Sequence, residues 1–159
     1  MRCFVLVLLL ALINPALAQY WQSYANAAYG YAIDIPPGYE HFADSADGNG
    51  AIFMLDGRFQ ELTVWGARLG ASPEAFGTAV TARQGEDEAA GWNVSYQALT
   101  PDWATWSARR DDFVLYQRMI LLCDRQSYAA VRSVYPMQDL YDMHGVIEGI
   151  VRSFQASAC

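Results

Sequence analysis

The chain has 159 residues and carries 10 cationic against 17 acidic side chains; every cation is an arginine. That length fits one domain. An acidic chain without a basic stripe points away from nucleic acid and from anionic membrane surfaces as partners.

The first eighteen residues read as a secretory signal peptide. Met1-Arg2 is a short basic start, Cys3 to Ile13 is an unbroken apolar run too short to span a bilayer comfortably, and Ala16-Leu17-Ala18 is a small-x-small cleavage site. The mature domain is expected over residues 19–159, in the periplasm or outside the cell, with no membrane span after cleavage. Losing Arg2 leaves nine arginines and two cysteines, Cys123 and Cys159. A cysteine pair in an exported chain points to one disulfide.

Tyr20 to Ala28 is an aromatic opening segment, either one helical turn or an extended arm. Tyr29 to Ile35 alternates, with Tyr29, Tyr31, Ile33 and Ile35 on one side, and Pro36-Pro37-Gly38 stops it. Tyr39 to Phe42 is a short strand. Asp44 to Gly50 is a loop of turn formers. Ala51 to Leu55 and Phe59 to Arg68 are strands joined at Asp56-Gly57, a strong hairpin signal. Ser72-Pro73-Glu74 starts a helix by capping, proline preference and dipole. That helix should run to about Ala90 and stop at Gly91, with Glu86-Asp87-Glu88 as a solvated tail.

Strands follow over Trp92 to Leu99 and Trp103 to Arg110, turned by Pro101-Asp102 and Asp111-Asp112. Phe113 to Cys123 and Ser127 to Tyr135 are rich in aromatic and β-branched residues and flank Asp124-Arg125-Gln126, a hairpin pattern. The first of these runs is apolar on both faces, which predicts a central strand covered on each side. Residues 138–154 form the last helix, with Leu140, His144, Ile147, Val151 and Phe154 at helical spacing as its apolar stripe. The expected architecture is α+β: a largely antiparallel, twisted sheet of seven or eight strands packed with two main helices.

These residues also carry a resemblance. Trp21-x-x-Tyr24-x-Asn26-x-x-Tyr29-Gly30 and Ile33-x-Ile35-Pro36, followed by Asp47-Gly48, Phe53, Asp56-Gly57 and Leu62-x-Val64-x-Gly66, resemble a group of small exported bacterial proteins of unknown function. The match continues through Tyr96, Trp103, Ser107, Tyr116, Cys123, Tyr135-Pro136 and Ser153-Phe154. That group in turn looks like the fold shared by the photosystem II extrinsic subunit PsbP and the nuclear-import factor Mog. The resemblance implies a twisted antiparallel sheet between helices and a non-catalytic binding or assembly role. It carries no catalytic residue across. Ala108 stands where the pattern usually has glycine, which implies a different turn geometry before Phe113.

Catalytic and metal chemistries find little footing. Aligning Gly48 with the sixth position of an EF-hand loop puts Ala43 at position 1 and Met54 at position 12, so two ligands are missing; whether the Asp44–Asp56 loop region holds a cation stays open. The two histidines, His41 and His144, are too far apart in sequence for a zinc motif, and His144 is expected at the core edge. There is no Gly-x-Ser-x-Gly elbow. Cys123 with His144 and Glu148 is the one thiol arrangement worth testing, and oxidation with Cys159 would abolish it. Asp111 and Asp112 are neighbours that point to opposite faces and so cannot flank one glycosidic bond. No cofactor motif is present. Of the five tryptophans, Trp65, Trp103 and Trp106 are candidates for an exposed binding surface, against the alternative that they pack the core.

The function expected is therefore a non-catalytic exported module that binds a protein partner or assembles in the cell envelope. The alternative is a binder of a small sugar, metal or metabolite, and a hydrolase ranks third. A Cys123–Cys159 disulfide follows from path lengths. The return strand descends by roughly 30 Å at about 3.3 Å per residue, the last helix climbs back by roughly 25 Å at about 1.5 Å per residue, and the tail closes the gap.

Overall fold

In the computed structural model, which describes residues 20–157 and residue 159, the chain runs β1 (Gln22–Asn26), β2 (Tyr31–Ile35), β3 (Glu40–Asp44), β4 (Gly50–Leu55), β5 (Gln60–Arg68), α1 (Ala75–Ala89), β6 (Asn93–Leu99), β7 (Trp103–Arg110), β8 (Phe113–Leu121), β9 (Ser127–Pro136), α2 (Leu140–Ser153) and β10 (Gln155–Ala156). The expected signal peptide lies outside the described residues. Seven strands form one sheet in the order β3-β4-β5-β9-β8-β7-β6, and β1, β2 and β10 form a second, small sheet; every pairing is antiparallel. The α+β architecture with two helices is the one expected. Of the two alternatives for the opening segment the extended one holds: Gln22 to Asn26 is a strand, and it pairs with Ile35 to Tyr31.

Strand alternation sorts the core into two layers. On one face Leu115 and Met119 of β8, with Ala104 and Trp106 of β7, meet Phe76 and Val80 of α1. On the other, Leu62, Val64, Val131 and Ile120 meet Tyr31 and Ile33 of the small sheet and Ile150 and Phe154 of α2. β8 is thus interior to the sheet and covered on both sides, as its two apolar faces require. Ala108 lies inside β7 and is fully buried; the turn before Phe113 is the two-residue link Asp111-Asp112, with Asp111 at φ 51°.

Three readings are corrected. The apolar stripe of α2 is Met143, Val146, Ile147 and Ile150 with Phe154, whereas Leu140 and His144 face solvent. The helix begins on Leu140, after a single 3₁₀ turn at Met137–Asp139, so its phase is set by that turn. Second, α1 begins at Ala75, preceded by a turn in which Ser72 accepts the Ala75 N–H at 3.0 Å through its carbonyl and the Glu74 N–H at 3.2 Å through its hydroxyl.

Third, Asp87 is not part of a solvated tail. It is buried beneath α1, where its carboxylate accepts from the Trp106 indole at 2.8 Å and from Arg132 at 2.7 Å. The helix end is where sequence places it: Gly91 sits at φ 88°, its N–H donates to the Glu88 carbonyl, and the Trp92 N–H donates to Asp87, a Schellman closure.

The sheet has two ends. At one lies the β8–β9 loop, built by Asp124, whose carboxylate accepts from the Gln126 and Ser127 amides, both at 2.9 Å, from the Ser127 hydroxyl at 2.7 Å and from Arg68 at 3.0 Å. Desolvation works to raise that carboxyl, and the two amides, the hydroxyl and Arg68 outweigh it, holding it below the usual carboxylate range. Cys123 is here. α2 climbs toward this end, β10 pairs Gln155 and Ala156 with Ala32 and Tyr31, and Cys159 comes to disulfide distance from Cys123, with Cα atoms 5.2 Å apart. Gln155 and Ala156 are extended as β10, which carries the start of the tail toward Cys123.

Candidate functional site: an aromatic strip at one end of the sheet

At the opposite end the β4–β5, β7–β8 and β9–α2 turns come together, because antiparallel register brings Leu55, Gln60, Phe113 and Pro136 to one level. Apolar side chains that burial would normally claim are exposed there. Phe42 is 68% exposed, Phe59 78%, Leu140 42% and Tyr141 92%. Three adjoining open depressions connect them. One of about 450 Å³ is lined by Phe42 and Phe59. The next, about 540 Å³, has Phe59, Phe113 and Met137. The third, about 790 Å³, has Met137, Leu140 and Tyr141. Shared lining residues make this one strip across the end of the domain.

Phe59 is unusual in a further respect. The hairpin at Asp56-Gly57 has four loop residues, Asp56 to Phe59, and Phe59 closes it at φ 55°. A bulky L-residue seldom adopts this left-handed conformation, which costs about 1–3 kcal/mol and persists only where the surroundings fix it.

Those surroundings are a buried hydrogen-bonded chain. Tyr39 donates its hydroxyl to Gln60 at 2.9 Å, and Gln60 donates to Asp139 at 2.7 Å; all three are nearly inaccessible to solvent. Arg58 approaches the other Asp139 oxygen at 3.7 Å. Burial, then the Asp139 carboxylate and Tyr135, push the Tyr39 phenol well above the ordinary tyrosine range, so it stays a donor. The Met137 amide donates to the Asp112 carbonyl at 2.7 Å, tying the β9–α2 turn to the β7–β8 turn. Two of the exposed side chains therefore neighbour a fixed one: Phe59 precedes Gln60, and Leu140 follows Asp139.

The sequence-derived candidates are placed differently. Trp106 is fully buried and hydrogen-bonded to Asp87, so it offers no surface. Trp65 is half-buried beneath the Arg83 guanidinium at 5.0 Å, and Trp103 beneath Arg118 at 4.8 Å. Trp103 and Trp106 do lie on opposite faces of the sheet, as their spacing requires. The thiol arrangement is not assembled: Cys123 stands with Cys159 at the far end, and His144 is exposed near the start of α2, 3.8 Å from Glu148. In the Asp44–Asp56 region His41 meets Asp44 at 2.8 Å and Asp47 accepts the Asn49 amide at 3.3 Å, contacts of an ordinary turn. Among the described residues no three histidine, cysteine or acidic side chains converge as a metal-binding group. No helix among them is long and apolar enough to cross a membrane.

Sequence reasoning missed the strip because Phe59 and Leu140 look like core positions. The one available signal was Phe42, exposed on a short edge strand beside charged neighbours.

No protein-family model matches the chain, and no curated protein matches it. Solved structures do. The solution structure of cyanobacterial PsbP (CyanoP) from Synechocystis sp. PCC 6803 is similar with a TM-score of 0.67 at 15% identity, covering 92% of this chain and 98% of that one. The Ran-binding protein Mog1p of Saccharomyces cerevisiae is similar with a TM-score of 0.62 at 9% identity, covering 88% of this chain and 97% of that one. A point mutant of Mog1 gives 0.60 at 9% identity, over 87% and 96%. The fold is thus the PsbP/Mog-like one.

Proposed function

We propose that this chain is an exported, non-catalytic domain that docks a protein partner through the Phe42–Phe59–Tyr141 strip, in the periplasm or outside the cell. The observation that carries the reading is Phe59: an exposed aromatic ring held in a left-handed backbone above a buried hydrogen-bond chain. Apolar groups left in water on a rigid mount are the ordinary signature of an interaction site. Export is supported by the basic start, apolar run and cleavage pattern of residues 1–18. A cysteine pair at disulfide distance suits an oxidising compartment. The similarity to Mog1p, a Ran-binding protein, is consistent with binding rather than catalysis.

The test is quantitative pull-down from the host envelope with the wild-type mature chain beside Phe59→Ser and Tyr141→Ser variants. A partner recovered stoichiometrically by wild type and lost with variants of unchanged Tm supports the reading. Equal recovery by all three chains refutes it. N-terminal sequencing of the secreted protein checks export, with Gln19 as the expected first residue.

The small-ligand alternative has one observation in its favour. A depression of about 570 Å³ lies between the start of α1 and the β6–β7 turn, lined by Leu69, Phe76, Leu99 and Arg125, and that volume is in the range of ligand pockets. Saturable thermal stabilisation by one metabolite class, abolished by Leu99→Asp, would favour it over docking.

A further inference from the structure

We infer that the strip receives a basic amphipathic segment of its partner, in which apolar side chains alternate with arginine or lysine; this rests on the docking reading above. The depressions that expose Phe42, Phe59 and Tyr141 also present Glu40, Asp56 and Asp112. Asp142, next to Tyr141, is exposed as well. Among the described residues none of these four carboxylates is paired with a cation. Of the arginines nearby, Arg58 lies 3.7 Å from Asp139, Arg110 donates to the Ala90 carbonyl at 3.0 Å, and Arg109, exposed at the end of β7, carries no ion pair among the described residues; the two histidines face carboxylates of their own, His41 with Asp44 at 2.8 Å and His144 with Glu148 at 3.8 Å. The strip is therefore an apolar floor with a net acidic rim, four unpaired carboxylates against one nearby unpaired arginine, Arg109, among the described residues.

That combination selects among occupants. A wholly apolar segment would cover the rings but strip water from unpaired carboxylates, which is strongly unfavourable. An acidic segment or an anionic bilayer would meet like charge. A second copy of this chain would set the same acids against one another, in a chain of net charge −7. A segment with arginine or lysine flanking its apolar anchors satisfies both the floor and the rim, and the rim charges steer its approach.

The experiment is selection from a peptide-display library against the mature, oxidised chain. Affinities of enriched synthetic peptides would then be measured on wild type, on Phe59→Ser and Tyr141→Ser, and on a Glu40→Gln/Asp56→Asn/Asp112→Asn variant of matched Tm. The expected peptides are enriched in arginine or lysine beside apolar residues. Their binding weakens about tenfold or more between about 50 and 300 mM NaCl and by a similar factor on the charge-neutralised variant. Peptides that need Phe59 or Tyr141 but show no basic excess and no salt dependence overturn this inference and leave docking standing. Peptides indifferent to both aromatic substitutions overturn both. A dimer seen in sedimentation that is lost with Tyr141→Ser assigns the strip to self-association and also overturns it.

Discussion

Removing the Asp87 carboxylate should unfasten α1 from the sheet. In register, Trp106, Gln117 and Arg132 form a row across three adjacent strands on the α1 face, and Asp87 reaches down to two of them. Asp87 is 3% exposed, and the Arg132 side chain is 15% exposed. Burial pushes the Arg132 guanidinium downward, offset in part by its bond to Asp87 and the Asp87 charge. Asp87→Ala strands a buried cation and leaves the Trp106 indole N–H without an acceptor. Breaking a buried pair from one side costs about 3–5 kcal/mol. For a domain of about 140 residues the unfolding entropy is roughly 0.3 kcal/mol/K, so Tm should fall by about 10–17 °C.

The assay is urea and thermal unfolding of wild type, Asp87→Ala, Arg132→Ala and the double variant. Because the second substitution removes the charge stranded by the first, the double variant should be more stable than additivity allows, by about 2 kcal/mol or more. A single-variant loss below about 1 kcal/mol, or additive losses, would refute the claim that this pair is buried and coupled.

Three further outcomes are expected. Cys159→Ser should lower stability by about 4 kcal/mol, the loop-closure value for the 36-residue separation, and should raise amide exchange at Tyr31 and Ala32 where β10 pairs; two alkylatable thiols in the non-reduced mature chain would contradict it. Two glycines should respond with opposite sign to alanine. Gly85 has open space around it in a helix, so alanine should stabilise by about 0.5–1 kcal/mol. A Cβ at Gly50 would run into the backbone of Val64 and Trp65, so alanine there should destabilise by about 1–3 kcal/mol, measured by chemical denaturation. For Asp124 the folded carboxyl is held low, so its contribution is present above the unfolded carboxylate range and lost as pH falls through the folded value. Wild type should therefore lead Asp124→Asn at neutral pH, and the gap should narrow below about pH 4; a constant gap would count against the hydrogen-bonded carboxylate.

Local signals carried the sheet but not its decoration. Alternation placed Tyr31, Ile33 and Ile35 inward, Asp56-Gly57 marked a hairpin, and Gly91 ended α1, because period and turn chemistry act over a few residues. What stayed hidden depends on partners distant in sequence. Glu86-Asp87-Glu88 looks uniformly solvated until Trp106 and Arg132 are seen beneath one member of it. The phase of α2 turns on where its 3₁₀ lead-in ends, and a shift of one residue rotates a helix by about 100°, enough to exchange Met143 for His144. Phe59 reads as strand because aromatic residues favour strands, and its left-handed backbone follows from a four-residue loop that Asp56-Gly57 does not announce. The approach of Cys159 to disulfide distance from Cys123 was legible because it depends on strand and helix rise.

The two ends of the sheet divide the work of this domain. At the β8–β9 end, Asp124 builds the loop, β10 joins the small sheet and Cys159 comes to disulfide distance from Cys123, so the tail is brought to the loop of the central hairpin. The aromatic strip lies at the other end, beyond the reach of that loop, and must be held by other means. Tyr39, Gln60 and Asp139 supply them, linking the residue before β3, the first residue of β5 and the residue before α2. A side chain immobilised on binding costs roughly 0.5–1.5 kcal/mol of entropy. Phe59 and Leu140 meet part of that cost in the folded chain, since the residue beside each is buried and hydrogen-bonded. For the docking role proposed above, the conformation that strains the backbone at Phe59 is the one that presents the ring.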